Sequence, residues 1–233
     1  VMKSQVYTAE GVFKSRWTTP DRTPHKRWWL WDSVFHSLGN FYIDPQLAFE
    51  TLRTVVDVQD PNGMIPHQSY PTGYVHPQTQ PPLIAWALHR LYEKTGRRDW
   101  VEEIYSTNRT YLKWVMNNRD TNGNCLYEWW VNPYVSVCRC GESGMDNTPR
   151  FDVVQLMDAV DFSCYMANEM RYMAKLAHIL ERYEEEAEYN TLHTCIGERI
   201  NADLYDETDG RYYDRELESG KLRKVSTPAG LLP

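Results

Sequence analysis

The chain has 233 residues, 42% hydrophobic and 13% aromatic, with nine Trp and sixteen Tyr, which suffices for a sizeable core and one large domain over residues 1–233. Its net charge is −7 and its Lys and Arg are scattered, so no basic stripe can offset phosphate repulsion and nucleic acid is not expected as a partner. No run of about 18 apolar residues occurs, so no membrane-spanning helix and no membrane partner are expected.

Taken in order, the chain opens its informative part with the run Trp28-Trp29-Leu30-Trp31-Asp32. Asp44-Pro45 then marks a helix start, Asp as cap and Pro in the first turn, and the helix runs to the break at Asp60-Pro61-Asn62-Gly63. Pro81-Pro82 opens a second helix, with Ile84, Leu88 and Leu91 on one face and Gly96 closing it. A third starts at Asp99-Trp100 and is predicted to reach Asn122-Gly123. A long helix is predicted from near Val153 to Leu180, with Phe162, Met166, Met170 and Met173 at helical spacing as a core stripe. Another follows from about Glu184 to Leu204, and Arg211-Tyr212-Tyr213-Asp214 reads as a short strand. Short connections follow Arg97 and Arg182, while long ones cover 60–80 and 120–151. That alternation predicts helix pairs whose long loops gather at one end, an all-α toroid with its site at the long-loop mouth.

Five cysteines are an odd number without a dense framework, which favours a reducing compartment. The cytoplasm is therefore favoured, although a periplasmic protein whose leader had been removed would read the same. Cys138-Arg139-Cys140 has neither the spacing nor the partners of a zinc knuckle. Asp120-Thr121-Asn122-Gly123-Asn124 fails as a calcium loop, since positions six and twelve hold Cys125 and Val131. No metal and no cofactor are expected.

Two acids stand in aromatic surroundings. Asp146 lies in Glu142-Ser143-Gly144-Met145-Asp146-Asn147-Thr148-Pro149-Arg150-Phe151, and Asp32 lies in Trp31-Asp32-Ser33-Val34-Phe35-His36. Sugars present hydroxyls at their edges and C–H patches on their faces, so acids among indoles suggest a sugar site. Splitting a glycosidic bond requires one carboxylic acid to protonate the leaving oxygen and a second carboxylate to activate water or attack the sugar. Asp146 is the candidate acid; the competing reading makes it the cap of a turn shaped by Asn147 and Pro149. Asp32 either accepts bonds from sugar hydroxyls or is a buried acid paired with Arg27 or His36. The loop system Met64-Ile65-Pro66-His67 and His76-Pro77-Gln78-Thr79-Gln80-Pro81-Pro82 places His and Gln on a surface stiffened by proline, and Tyr70, Tyr74, Trp129 and Trp130 are the loop aromatics.

From about Arg27 to the C-terminus, the Trp-Asp motif, the Gln-Thr-Gln-Pro-Pro segment, the acid motif and Asp209-Gly210-Arg211-Tyr212-Tyr213-Asp214, in this order, resemble glycoside hydrolase family 63. The likeness is nearest to its mannosylglycerate hydrolase-like members, and more distant to processing α-glucosidase I and the trehalases. The resemblance implies an (α/α)6 barrel, incomplete within this chain, and an inverting O-glycosyl hydrolase of α-glucosyl or α-mannosyl linkages. It makes Asp146 the general acid and Asp32 the residue holding sugar hydroxyls in the −1 subsite, with Trp31, His67 and Gln80 lining that subsite and Arg150 placed beside the substrate by the acid motif. The family's general base is a Glu further along the barrel, which neither Glu142 nor Glu128 matches; the base is thus expected beyond the C-terminus, and the exposed seam is expected to meet the rest of the barrel or another copy. Two rival readings remain, a sugar-binding protein without catalysis and an α/α sugar epimerase.

Overall fold

Residues 5–20, 26–73, 76–152 and 156–233 are described by the computed structural model, and among them six helices follow one another in three hairpins. Helix α1 (Leu30–Asn40) packs on α2 (Pro45–Asp57), α3 (Ile84–Thr95) on α4 (Arg98–Asn118), and α5 (Val160–Ile179) on α6 (Tyr183–Asp203). The first members also touch one another in turn, α1 with α3 and α3 with α5, while α2 meets α4. Three hairpins so arranged form part of an (α/α)6 toroid, with α1, α3 and α5 on the inner side.

The strands are two or three residues long. In chain order, β1 (Val6–Tyr7) pairs with β2 (Trp17–Thr18), and β3 (Trp28–Trp29) with β4 (Gln68–Ser69). β5 (Met157–Asp158), β8 (Asp214–Glu216) and β9 (Leu222–Arg223) make a small antiparallel sheet, and β6 (Tyr205–Asp206) pairs with β7 (Arg211–Tyr212). The strand expected at 211–214 is thus two strands joined through Tyr213.

Local chemistry explains the helix ends. Asp44 caps α2 as expected, its Oδ1 accepting from the N–H groups of Gln46 (2.9 Å) and Leu47 (3.2 Å), with Pro45 in the first turn. Gly96 closes α3 in the left-handed region at φ 65°. Helix α4 stops at Asn118, short of the predicted end at Asn122-Gly123. There the side chain of Asp120 accepts from the N–H groups of Asn124 (2.9 Å) and Cys125 (3.1 Å), and Asn124 Oδ1 accepts from Leu126 (2.8 Å), which offers the backbone an alternative to the helix ladder. Helix α5 starts at Val160 rather than near Val153, a residue outside the described ones. Met157 and Asp158 are taken into the sheet with β8, and the Val160 N–H donates to Asp214 (3.0 Å). Helix α1 has no start signal in the sequence, because its N-cap residue, Trp29, makes no side-chain capping bond.

The core runs between the helices and holds the expected stripe of Phe162, Met166, Met170 and Met173, all buried. Trp17, Trp28 and Trp129 are buried too, so much of the aromatic content is packing.

Candidate active site

The long connections do meet at one mouth. Pairing of β3 with β4 brings the start of α1 against the 60–80 loop, and the Leu30 N–H donates to the His67 carbonyl (3.0 Å). The Trp31 N–H donates to Gln80 Oε1 (3.2 Å), and the His67 N–H to the Gln78 carbonyl (2.8 Å). Thr79 is drawn to the 120–151 loop by its N–H bond to Glu142 (3.0 Å). Between these segments lies a cleft of about 500 Å³, a size usual for small-molecule sites.

Five of the six site residues named from sequence line this cleft: Trp31, Asp32, His67, Gln80 and Asp146. Trp29, Gln68, His76 and Gln78 line it as well. Indole faces and amide or imidazole edges thus surround two carboxyl groups.

Asp32 sits in the first turn of α1. It pairs with neither of the partners considered for it: His36 Nδ1 is 2.9 Å from Thr18 Oγ1, and Arg27 Nη1 donates to Gln68 Oε1 (2.8 Å). Burial raises the pKa of Asp32, with only its own backbone N–H opposing. Asp146 is in the same situation, raised by burial and opposed only by its own N–H. Among the described residues it does not cap the turn: the Ser143 hydroxyl oxygen accepts from the Met145 N–H (3.0 Å) and the Thr148 hydroxyl donates to the Met145 carbonyl (2.7 Å), while Asn147 Oδ1 accepts from the Cys138 N–H (2.9 Å) across the loop. Both acids therefore present oxygens to the cleft without a side-chain partner among the described residues.

The histidines carry the opposite shift. Burial, then His76 and Arg27, push His67 down to about 3, so its ring is neutral. The two imidazoles meet edge-on with centroids 4.1 Å apart, and His67 Nδ1 is buried with no hydrogen-bond partner. Gln80 Oε1 is occupied by the Trp31 N–H.

The acid loop is fixed by contacts that sequence spacing did not reveal. Gly144 adopts φ +68° against the Trp31 indole, and a Cβ there would overlap Cη2 and Cζ2 of that ring. Glu142 is fully buried, and its carboxylate accepts from Arg119 Nη2 (2.7 Å) and Nε (3.2 Å), from the Thr79 N–H (3.0 Å) and from the Trp130 N–H (2.9 Å). One side chain thus ties the acid loop to the end of α4, to the Gln78–Gln80 strip and to the segment at Trp130. The only signal for it in the sequence was its place four residues before Asp146.

Arg150 departs from the expectation. It does not line the cleft but is 1% exposed, donating to Asp161 Oδ2 (2.6 Å) and Asp214 Oδ1 (3.4 Å). A buried guanidinium needs such partners, and they hold it on the α5 side of the loop. Trp129 is likewise not a sugar platform, being buried, stacked on Phe162 (3.8 Å) and bonded to Asp161 (2.8 Å). Tyr74 lies outside the described residues. Glu128 is buried away from the cleft, accepting from the Thr121 N–H and hydroxyl, with burial pushing it up to about 7. Among the described residues no group of three or more His, Cys, Asp or Glu is placed to hold a metal ion.

Residues 24–233 match the family described as the mannosylglycerate hydrolase MGH1-like glycoside hydrolase domain. A mannosylglycerate hydrolase of Thermus thermophilus is 29% identical over 163 residues, covering 60% of this chain and 37% of the relative. A glucosylglycerate hydrolase of Mycolicibacterium hassiacum is 28% identical over 165 residues, covering 55% of this chain and 34% of the relative. The chain thus spans little more than a third of the length of these curated relatives. The crystal structure of a GH63 mannosylglycerate hydrolase from Thermus thermophilus in complex with glucose superposes on all of this chain and 68% of that one, with TM-score 0.82 and 24% identity. The shared fold is the (α/α)6 barrel, of which this chain is a part.

Proposed function

Since this chain belongs to the mannosylglycerate hydrolase MGH1-like glycoside hydrolase family, we propose that it supplies the general acid and much of the −1 subsite of an inverting glycosidase acting on α-mannosyl or α-glucosyl linkages. The observation that carries this reading is the pair Asp32 and Asp146, both raised by burial and without side-chain partners among the described residues, in one cleft with Trp31, His67 and Gln80.

In this mechanism Asp146 holds a proton closer to neutral pH than a solvated Asp does and delivers it to the leaving oxygen. Asp32 accepts hydrogen bonds from sugar hydroxyls, which favour its ionised form once the sugar displaces water. The Trp31 face covers the C–H side of the ring. Neutral His67 and the Gln80 amide meet the remaining hydroxyls. Glu142 and Arg150 touch no substrate and act as positioning residues at the two ends of the acid loop. Inversion also needs a carboxylate about 6.5–9.5 Å from the acid, with water between. The glutamates nearest in sequence, Glu142 and Glu128, are both committed to internal bonds, and this role is assigned to a residue of the full-length protein outside this sequence.

The test is a screen of the full-length protein against mannosylglycerate, glucosylglycerate and aryl α-glycosides, with the first-formed sugar anomer followed by NMR. Release of the β-anomer from an α-glycoside is the expected result. Release of the α-anomer would overturn inversion. Saturable binding without turnover would favour a sugar-binding role, and interconversion of free sugars without an aglycone would favour an epimerase.

A further inference from the structure

Two cysteines far apart in the sequence touch. Cys195 Sγ lies 2.8 Å from Cys125 Sγ, across 70 residues of chain. Unbonded carbons settle at roughly 3.5–4 Å and sulfur is larger, whereas a disulfide measures roughly 2.05 Å. Closing the bond therefore asks for less than an ångström of movement. Cys125 sits in the turn after α4, at φ 65°, with its N–H held by Asp120; Cys195 sits on α6. Both side chains are partly exposed, and Cys195 opens onto a groove of about 410 Å³ that also holds Asn190, Thr191, Thr194 and Glu198.

We propose that Cys125 and Cys195 form a reversible disulfide that staples the turn following α4 to α6. The oxidant is a small-molecule disulfide such as oxidised glutathione. Cys195 loses its proton to solvent and its thiolate attacks one sulfur of that disulfide, expelling one glutathione thiolate and leaving a mixed disulfide. Cys125, deprotonated in turn, attacks the Cys195 sulfur and expels the second glutathione thiolate. Two protein thiols thereby lose two electrons and two protons, and one small disulfide becomes two thiols. This order follows from access: Cys195 lines the open groove, where a small disulfide can approach it, while Cys125 lies behind it in the turn. The bond would close a loop of about 70 residues, long enough to stabilise substantially. It would also pin the turn that leads into the Trp129–Trp130 segment and its bond to Glu142.

The test uses the full-length protein, incubated with oxidised glutathione, then alkylated and peptide-mapped. The expected result is a crosslinked peptide joining Cys125 to Cys195, two fewer alkylatable thiols than the reduced protein, and a Tm higher by roughly 5–10 °C that dithiothreitol reverses. Cys195→Ser should fold with the Tm of the reduced wild type and gain nothing from the oxidant. Full alkylation of both residues after oxidation, glutathione stopping at a mixed disulfide, or a crosslink to Cys138 in place of this pair would each overturn the proposal. Because the mapping reads the wild-type protein, a variant that fails to fold does not blunt it, and none of these outcomes depends on glycosidase activity.

Discussion

Asp146 and Glu142 stand four positions apart on one loop, and their surroundings separate their roles. Among the described residues Glu142 accepts four hydrogen bonds and is sealed from solvent, while Asp146 has none from a neighbour and borders the cleft. In the sequence Asp146 is the candidate acid and Glu142 has no role; its tertiary partners give Glu142 a structural one. Arg150 carries the same lesson in reverse. A cation beside an acid motif reads as a substrate ligand, but its partners Asp161 and Asp214 lie 11 and 64 residues away. His67 yields a prediction at this scale. Its folded value of about 3 lies below the unfolded 6.5, so between those values the unfolded chain binds the extra proton. The stability gained by burying the neutral ring is complete above pH 6.5 and is lost as the pH falls towards 3. Denaturant unfolding of wild type and His67→Gln at pH 7 and pH 5 should show the wild type losing about 1–2 kcal/mol more than the variant. Equal losses in the two proteins would mean that His67 is not a buried neutral ring.

Helices with a capping residue next to them in sequence were legible: Asp44-Pro45 started α2 and Gly96 ended α3. Those whose ends are set by distant partners were not. The α3 N-terminus has no capping side chain of its own. Instead Glu169, 84 residues on from Ala85 and inside α5, reaches across to accept from the Ala85 (2.9 Å) and Trp86 (3.1 Å) N–H groups and from Asn108 (3.3 Å). It is fully buried, and burial pushes its carboxyl up to about 7 against the pull of those donors. Removing it leaves buried donors without an acceptor. Glu169→Ala should therefore cost about 2–4 kcal/mol and lower Tm by several degrees, whereas Asp44→Ala, which removes a partly exposed cap, should cost about 1 kcal/mol. If the two variants melted together, the cross-helix cap would carry no special weight.

Across the whole molecule, the alternation of short and long connections was the most useful thing the sequence offered, because it follows from how paired helices close a toroid. Loops from two hairpins and the start of α1 then converge on one cleft, and two buried polar anchors, Glu142 with Arg119 and Arg150 with Asp161 and Asp214, hold the acid loop from either side. Breaking either anchor by removing one partner leaves an uncompensated buried charge, so both ends of the loop resist displacement. Asp146 is proposed to protonate the leaving oxygen. The most direct test compares wild-type and Asp146→Asn full-length protein on mannosylglycerate, whose leaving group needs the proton, and on an aryl α-mannoside with an acidic phenol, which hardly does. A loss of about 10²–10⁴-fold in kcat/KM is expected on the first substrate and a far smaller one on the second. Equal losses on both substrates, or full activity of the variant on mannosylglycerate, would contradict it.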